Sequence, residues 1–292
     1  MTLKQYIQLF VPPVYYKVRK RLFQNKQPQI NPLPKVELSG KPMVIIGNGP
    51  SLNKTVELYK QQLLRADCVM VNFSACTPLY ETIKPCFYIM TDPRWVTATG
   101  EKLESMEKCI NTIVEKTIWP MTMVLPNSFR TWWAIDKLLS NKNITIWFDE
   151  SEWIKLPEDE LFKAFDKNRV CPPSYTVLTY CLYLSLYWGY KETYLVGADT
   201  TFTQMVYVGQ KDNVVYTVDT HFYNNDEVNP LTKDVEHNGR PFGMNMEEYT
   251  EMCYTIFYEY NLLARYAKWK GVKVYNASEY SMIDCFDRKK LI

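Results

Sequence analysis

The sequence predicts an α/β fold, a mostly parallel sheet flanked by helices, on three observations. Short apolar runs at 43–46 (MVII), 68–71 (CVMV), 87–90 (FYIM) and 193–196 (TYLV) end on polar or glycine-bearing turns, as buried parallel strands do. Stretches with apolar residues at helical spacing separate these runs. The chain's 292 residues, 47% hydrophobic and 15% aromatic, can bury a full core.

The chain opens on a different composition. Residues 1–26 carry Lys4, Lys17, Arg19, Lys20, Arg21 and Lys26 with no acidic residue, interleaved with Ile7, Leu9, Phe10, Tyr15, Tyr16 and Phe23. Two basic amphipathic helices split by Pro12-Pro13 suit an anionic membrane surface, with Lys and Arg toward phosphates. Residues 27–34, with three prolines, read as a linker. Residues 1–35 are therefore expected to be a membrane-associating arm and linker, and 36–292 the globular domain. No apolar stretch approaches the roughly 20 residues that span a bilayer. The N-terminus also lacks the continuous apolar core of a signal peptide.

Residues 41–52, KPMVIIGNGPSL, predict a strand that stops at Gly47-Asn48-Gly49-Pro50, with Ser51 or Asn53 capping the next helix. A strand, tight turn and helix start aim backbone N–H groups at an anion, which makes this stretch a candidate nucleotide site. It is neither GxGxxG nor GxxxxGK[ST], and glycine after a strand also occurs where nothing binds. The next strands end at Asn72 and at Thr91-Asp92-Pro93, and a later one at Gly197-Ala198-Asp199. Carboxyl ends of parallel strands are where such sheets place ligand contacts.

The middle of the chain predicts helices at 97–109 and 129–140 and short strands at 112–114, 121–125 and 144–148. Trp132, Trp133, Trp147 and Trp153 read as core residues. An apolar helix over 174–187 ends at Gly189, a C′ position. Residues 200–243 are polar, with a hairpin near 206–218 and both histidines of the chain, His221 and His237; a loop this long reads as an active-site lid. A long amphipathic helix at 246–269 and a closing strand at 272–275 follow.

The net charge of +2 and the absence of an aromatic-laced basic stripe argue against a nucleic-acid partner. Eight cysteines without CxxC spacing argue against zinc and fit a reducing cytosol. No metal or other cofactor is expected.

With GNGPSL, VNF, TDP, LYWGYKETYLVGAD and a His-bearing loop in this order, residues 41–292 resemble the bacterial lipooligosaccharide sialyltransferases. They are also similar to a looser set of surface-polysaccharide proteins that share a domain with the archaeal 6-hydroxymethylpterin diphosphokinases. The resemblance implies a single Rossmann-like domain that binds a CMP-sugar without metal, with a lid His deprotonating the acceptor. It matches Asn48 and Asn72 to nucleotide-contacting asparagines, and with the strand-end reading the expected nucleotide contacts are Gly47, Asn48, Gly49, Pro50, Ser51, Asn72, Asp92, Thr176 and Asp199. It makes His237 or His221 the base and Tyr207 a stabiliser of the leaving phosphate. Two positions depart from that pattern: Asp92 stands where the family has Asn, and Thr201 replaces a leaving-group Tyr. Both shift the expectation toward another donor or a metal.

The expected function is a glycosyltransferase on the inner face of the cytoplasmic membrane, moving a sugar from a nucleotide-sugar donor to a glycan or lipid-linked acceptor of the cell surface. The rivals are a pyrophosphokinase-like enzyme with Mg²⁺ on Asp92 and Asp199, and a non-catalytic membrane scaffold.

Overall fold

The computed structural model describes residues 30–219, 221, 227–230, 235–237 and 240–291, and gives backbone alone for 219, 227–230, 235–237 and 240–242. The basic arm at 1–26 lies outside the described residues, as does part of the expected lid.

Eight strands form one sheet in the order β13-β12-β6-β1-β2-β3-β4-β5, and every pairing in it is parallel. They are β1 (Met43–Ile46), β2 (Asp67–Val71), β3 (Phe87–Ile89), β4 (Met121–Pro126), β5 (Ile144–Asp149), β6 (Glu192–Val196), β12 (Lys273–Asn276) and β13 (Asp287–Arg288). All four residues of β1 are fully buried because helices cover both faces. Alternation divides them: Met43 and Ile45 join one core cluster, Val44 and Ile46 the other.

The first cluster packs beneath α6 (Glu158–Phe165), α7 (Val177–Trp188) and α8 (Met246–Lys270). The second packs beneath α1 (Leu52–Leu64), α2 (Pro78–Ile83), α4 (Gly100–Lys116) and α5 (Ile135–Leu139); a single turn, α3 (Arg94–Thr97), follows β3. Helix α7 is buried along nearly its whole length; Thr176 caps it by accepting the Thr179 N–H at 3.3 Å, and Gly189 ends it at φ +91°. Asn245 and Glu248 form a reciprocal capping box at the start of α8.

Several sequence expectations are corrected. Residues 112–114 belong to α4, because Met106, Cys109, Ile110 and Ile113 repeat at three- and four-residue spacing and turn one buried stripe to the sheet. The single helix expected at 129–140 is a 3₁₀ turn (Asn127–Thr131) and α5, joined through Trp132, whose ring meets Trp95 at 6.1 Å and Phe129 at 5.3 Å. Burying those rings breaks the helical repeat. Within 200–243, the described residues form short strands: β7 (Val206–Val208), β8 (Val215–Asp219) and β9 (Glu227–Pro230) in one sheet, β10 (Val235–His237) and β11 (Arg240–Phe242) in another.

The segment before β1 is tied to the body. Leu33 is buried; its N–H donates to Asn168 Oδ1 at 2.6 Å, and its carbonyl accepts from Tyr187 Oη at 2.6 Å. No helix among the described residues is long and apolar enough to cross a membrane.

Candidate functional site

The chain runs β1 to β5 toward one edge, then returns to place β6 on the other side of β1. This reversal is a topological switch point, where an open parallel sheet leaves a crevice at its carboxyl ends. The backbone ladder continues past both strands: Gly47 N–H donates to Val196 O and Gly49 N–H to Gly197 O, each at 2.8 Å. Gly197 takes φ +59°, and a Cβ there would sit 2.7 Å from Gly47 O. A Cβ on Gly49 would lie 2.4 Å from Asp199 Cγ. Glycine is what lets the two turns touch.

Asp199 closes the contact. Its carboxylate, 5% exposed, accepts the Ser51 N–H at 2.9 Å and the Ser51 hydroxyl. Burial pushes this carboxyl above its usual range, and the bonds from Ser51 pull it partly back. Ser51 therefore does not cap α1 as the sequence predicts. Its backbone is already helical and its hydroxyl is turned to Asp199. The place at the head of α1 expected for a phosphate holds this carboxylate instead. An incoming ligand meets Asp199 and Ser51 as a bonded pair, suited to reading hydroxyl groups or a cation.

Beside that pair opens a cavity of about 500 Å³. Ser51 and Asp199 form its polar wall beside Pro50, Thr201, Gln204 and Met205 line it from the segment after β6, and Val218 and Tyr280 complete it. The volume falls in the range of small-molecule sites.

Other predicted residues fall elsewhere. Asn48 is buried behind the turn, its Oδ1 accepting from Ser74 Oγ at 2.6 Å and its amide reaching Val71 O at 3.4 Å. Asn72 begins a 3₁₀ turn at φ +51°, and its buried Oδ1 has no hydrogen-bond partner among the described residues. Asp92 is held by Arg94, through the backbone N–H at 2.9 Å and Nε at 2.8 Å. Thr176 stays at the cap of α7, where Leu178 packs behind Gly47. Tyr207 is 47% exposed, outside the cavity wall. His221 is half-buried, and His237 ends β10 opposite Arg240; its side chain lies outside the described residues.

The two aspartates of the magnesium reading do not assemble. Strands β3 and β6 are three places apart in the sheet, about 14 Å at normal strand spacing, too far for one ion to bridge. The described residues contain no cluster of three or more His, Cys, Asp or Glu fit to hold a metal.

Sequence reasoning missed Gln204, Met205, Val218 and Tyr280, which carry no motif and meet only through the fold. It also passed over Glu259, fully buried on α8, which accepts the Tyr175 N–H at 3.1 Å and the Thr179 hydroxyl at 2.6 Å. Burial raises its pKa to about 7 against those bonds. Glu259 thereby fixes the start of α7 behind the site.

The chain is similar to the solved structure of the MAf glycosyltransferase from Magnetospirillum magneticum AMB-1, with 13% identity and a TM-score of 0.47 over 94% of this chain. It spans 38% of that protein's length. No curated protein matches it by sequence. The family model described as 6-hydroxymethylpterin diphosphokinase MptE-like matches residues 17–205, from before β1 through the cavity residue Met205. The chain belongs to the MptE-like family.

Proposed function

We propose that this protein is a nucleotide-dependent transferase, and more finely a glycosyltransferase that takes a sugar from a nucleotide-sugar donor to a glycan or lipid-linked acceptor of the cell surface. The observation that carries the reading is the open cavity at the β1/β6 switch point, walled by the bonded Asp199–Ser51 pair. A nucleotide fits such a crevice, with Asp199 accepting from a ribose or sugar hydroxyl. In the reaction the bond from the sugar's anomeric carbon to the donor phosphate breaks and a bond to the acceptor oxygen forms. The acceptor's proton passes to a base, His237 or His221, and the nucleotide leaves with the phosphate. The basic arm at 1–26 would hold the enzyme on the inner face of the cytoplasmic membrane, near a lipid-linked acceptor.

A thermal-shift screen of CMP-, UDP-, GDP- and dTDP-compounds, with and without Mg²⁺, tests this, since a bound nucleotide raises stability by RT ln(1 + [L]/Kd). One nucleotide class is expected to stabilise. If none does, the reading is wrong and the scaffold reading stands. A magnesium-dependent phosphotransferase is the second reading, favoured by the family's description and by the carboxylate on the cavity wall. Stabilisation by a nucleoside triphosphate only with Mg²⁺ would select it. Turnover lost in neither His221→Ala nor His237→Ala would remove the histidine base.

A further inference from the structure

Tyr207, the leaving-phosphate stabiliser that the sequence resemblance implies, stands outside the cavity wall, on a hairpin whose surface suits a different ligand. Strands β7 and β8 pair Tyr207 with Tyr216 and Val206 with Thr217, and the Val218 N–H donates to Met205 O at 2.8 Å, one step further. Side chains alternate along β8, so Val218 and Tyr216 share a face, and Tyr207 stands opposite Tyr216 on that same face. Met205 and Val218 line the cavity. The two tyrosines therefore continue the cavity's own wall outward, about 7 Å further along the strands.

Their rings stack with centroids 5.3 Å apart at an interplanar angle of 12°. Tyr207 is nonetheless 47% exposed, so the ring that stacks on Tyr216 remains open to solvent on its other sides. The stack is held in place from below. Tyr216 Oη donates to Asp212 Oδ2 at 2.7 Å, and the Val214 N–H donates to Asp212 Oδ1 at 3.1 Å. A Cβ on Gly209 would come 2.3 Å from Asp212 Oδ1 and 2.9 Å from Tyr216 Cε2; the absent side chain leaves room for the carboxylate against the ring. These bonds hold Asp212 below the usual carboxylate range, so it is ionised near neutral pH.

We propose that this hairpin face is an acceptor subsite that stacks a neutral pyranose ring on Tyr207, an assignment that rests on the glycosyl-transfer reading above. An aromatic face is electron-rich and attracts the polarised C–H groups on one side of a sugar ring. Asp212 offers an acceptor for sugar hydroxyls, and its charge disfavours a phosphate-bearing ligand at the same place. The position suits an acceptor, which must approach from solvent toward a donor held in the cavity. A nucleobase also stacks on tyrosine, and the experiment separates the two.

The test uses the full chain and a panel of neutral di- to tetrasaccharides built from hexoses and N-acetylhexosamines, screened by saturation-transfer NMR, with Kd measured for the strongest binder. Tyr207→Ala is expected to weaken that sugar roughly five- to tenfold, the size of an aromatic stacking contact. Tyr207→Phe, which keeps the ring face, is expected to stay within about twofold of the parent. The thermal shift given by the best nucleotide stays unchanged in both variants. Equal losses in Ala and Phe would assign Tyr207 a hydroxyl role and overturn the subsite. So would a nucleotide shift that falls with Tyr207→Ala, or a panel in which no sugar binds the parent chain. Because sugar binding is read without turnover, a failed nucleotide screen and a failed sugar panel are separate results.

Discussion

Both halves of the sheet's carboxyl edge end their strands on polar residues, yet those residues are partnered differently in each, and a cavity opens beside the β6/β1 pair. At the β6/β1 junction, Asp199 and Ser51 are bonded across a gap that the chain's reversal leaves open. Along β3 to β5 the aspartates at or just after the strand ends are bonded to the protein itself. Asp92 is held by Arg94. Asp149, 4% exposed, accepts from the Ser151 N–H at 2.9 Å, Asn168 Nδ2 at 3.3 Å and the Tyr180 hydroxyl. A polar strand end is therefore insufficient by itself; topology decides whether it borders a cavity or seals a loop.

The largest effect that sharpens this contrast is expected on the sealed side. Asp149→Ala takes the acceptor from the Tyr180 hydroxyl and the Ser151 N–H, and one of three from the Asn168 amide, and should cost about 3 kcal/mol in urea unfolding, the largest loss together with that of Glu259 below, while any nucleotide-induced thermal shift persists. A lost shift in a folded variant would break the division of labour.

Glu259, behind the open half, should give a pH signature of about 3 kcal/mol, from a carboxyl raised from its ordinary 4.5 to about 7. Its contribution is full below pH 4.5 and falls away as pH rises through about 7, because the unfolded chain ionises first. Glu259→Gln should flatten that part of the stability profile. An unchanged slope would show that other groups carry it.

Gly49→Ala comes next, at about 2 kcal/mol for forcing a methyl against Asp199, and it should also weaken nucleotide binding by displacing the Asp199–Ser51 pair. Asp92→Ala is the smallest: its ion pair with Arg94 is partly exposed, so a loss below about 0.5 kcal/mol is expected, with the nucleotide shift intact. A nucleotide effect at Asp92 would move the site toward β3.

The strands β1, β2, β3 and β6 were legible in the sequence because buried parallel strands are short, continuously apolar and end abruptly, and Asp199 was legible as one of those ends. The hairpin at 206–218 was also legible in the sequence. What could not be read was the pairing of distant turns: nothing in GNGPSL says that its Ser51 meets a carboxylate 148 residues away. The broken helix near Trp132 was hidden for a similar reason, because ring packing across elements overrode local periodicity. Glu259 did leave a trace. It sits on the buried stripe of α8 between Ile256 and Leu263, where an acid is out of place unless it is bonded.

The central claim is that the switch-point cavity, and not the β2–β5 edge, holds the nucleotide. Hydrogen-exchange mass spectrometry with the nucleotide that gives the largest thermal shift tests it most directly. The account predicts slowed exchange in peptides covering 47–52 and 199–205, with no change across 72–76 and 91–97. Protection confined to 72–76 or 91–97 would contradict it.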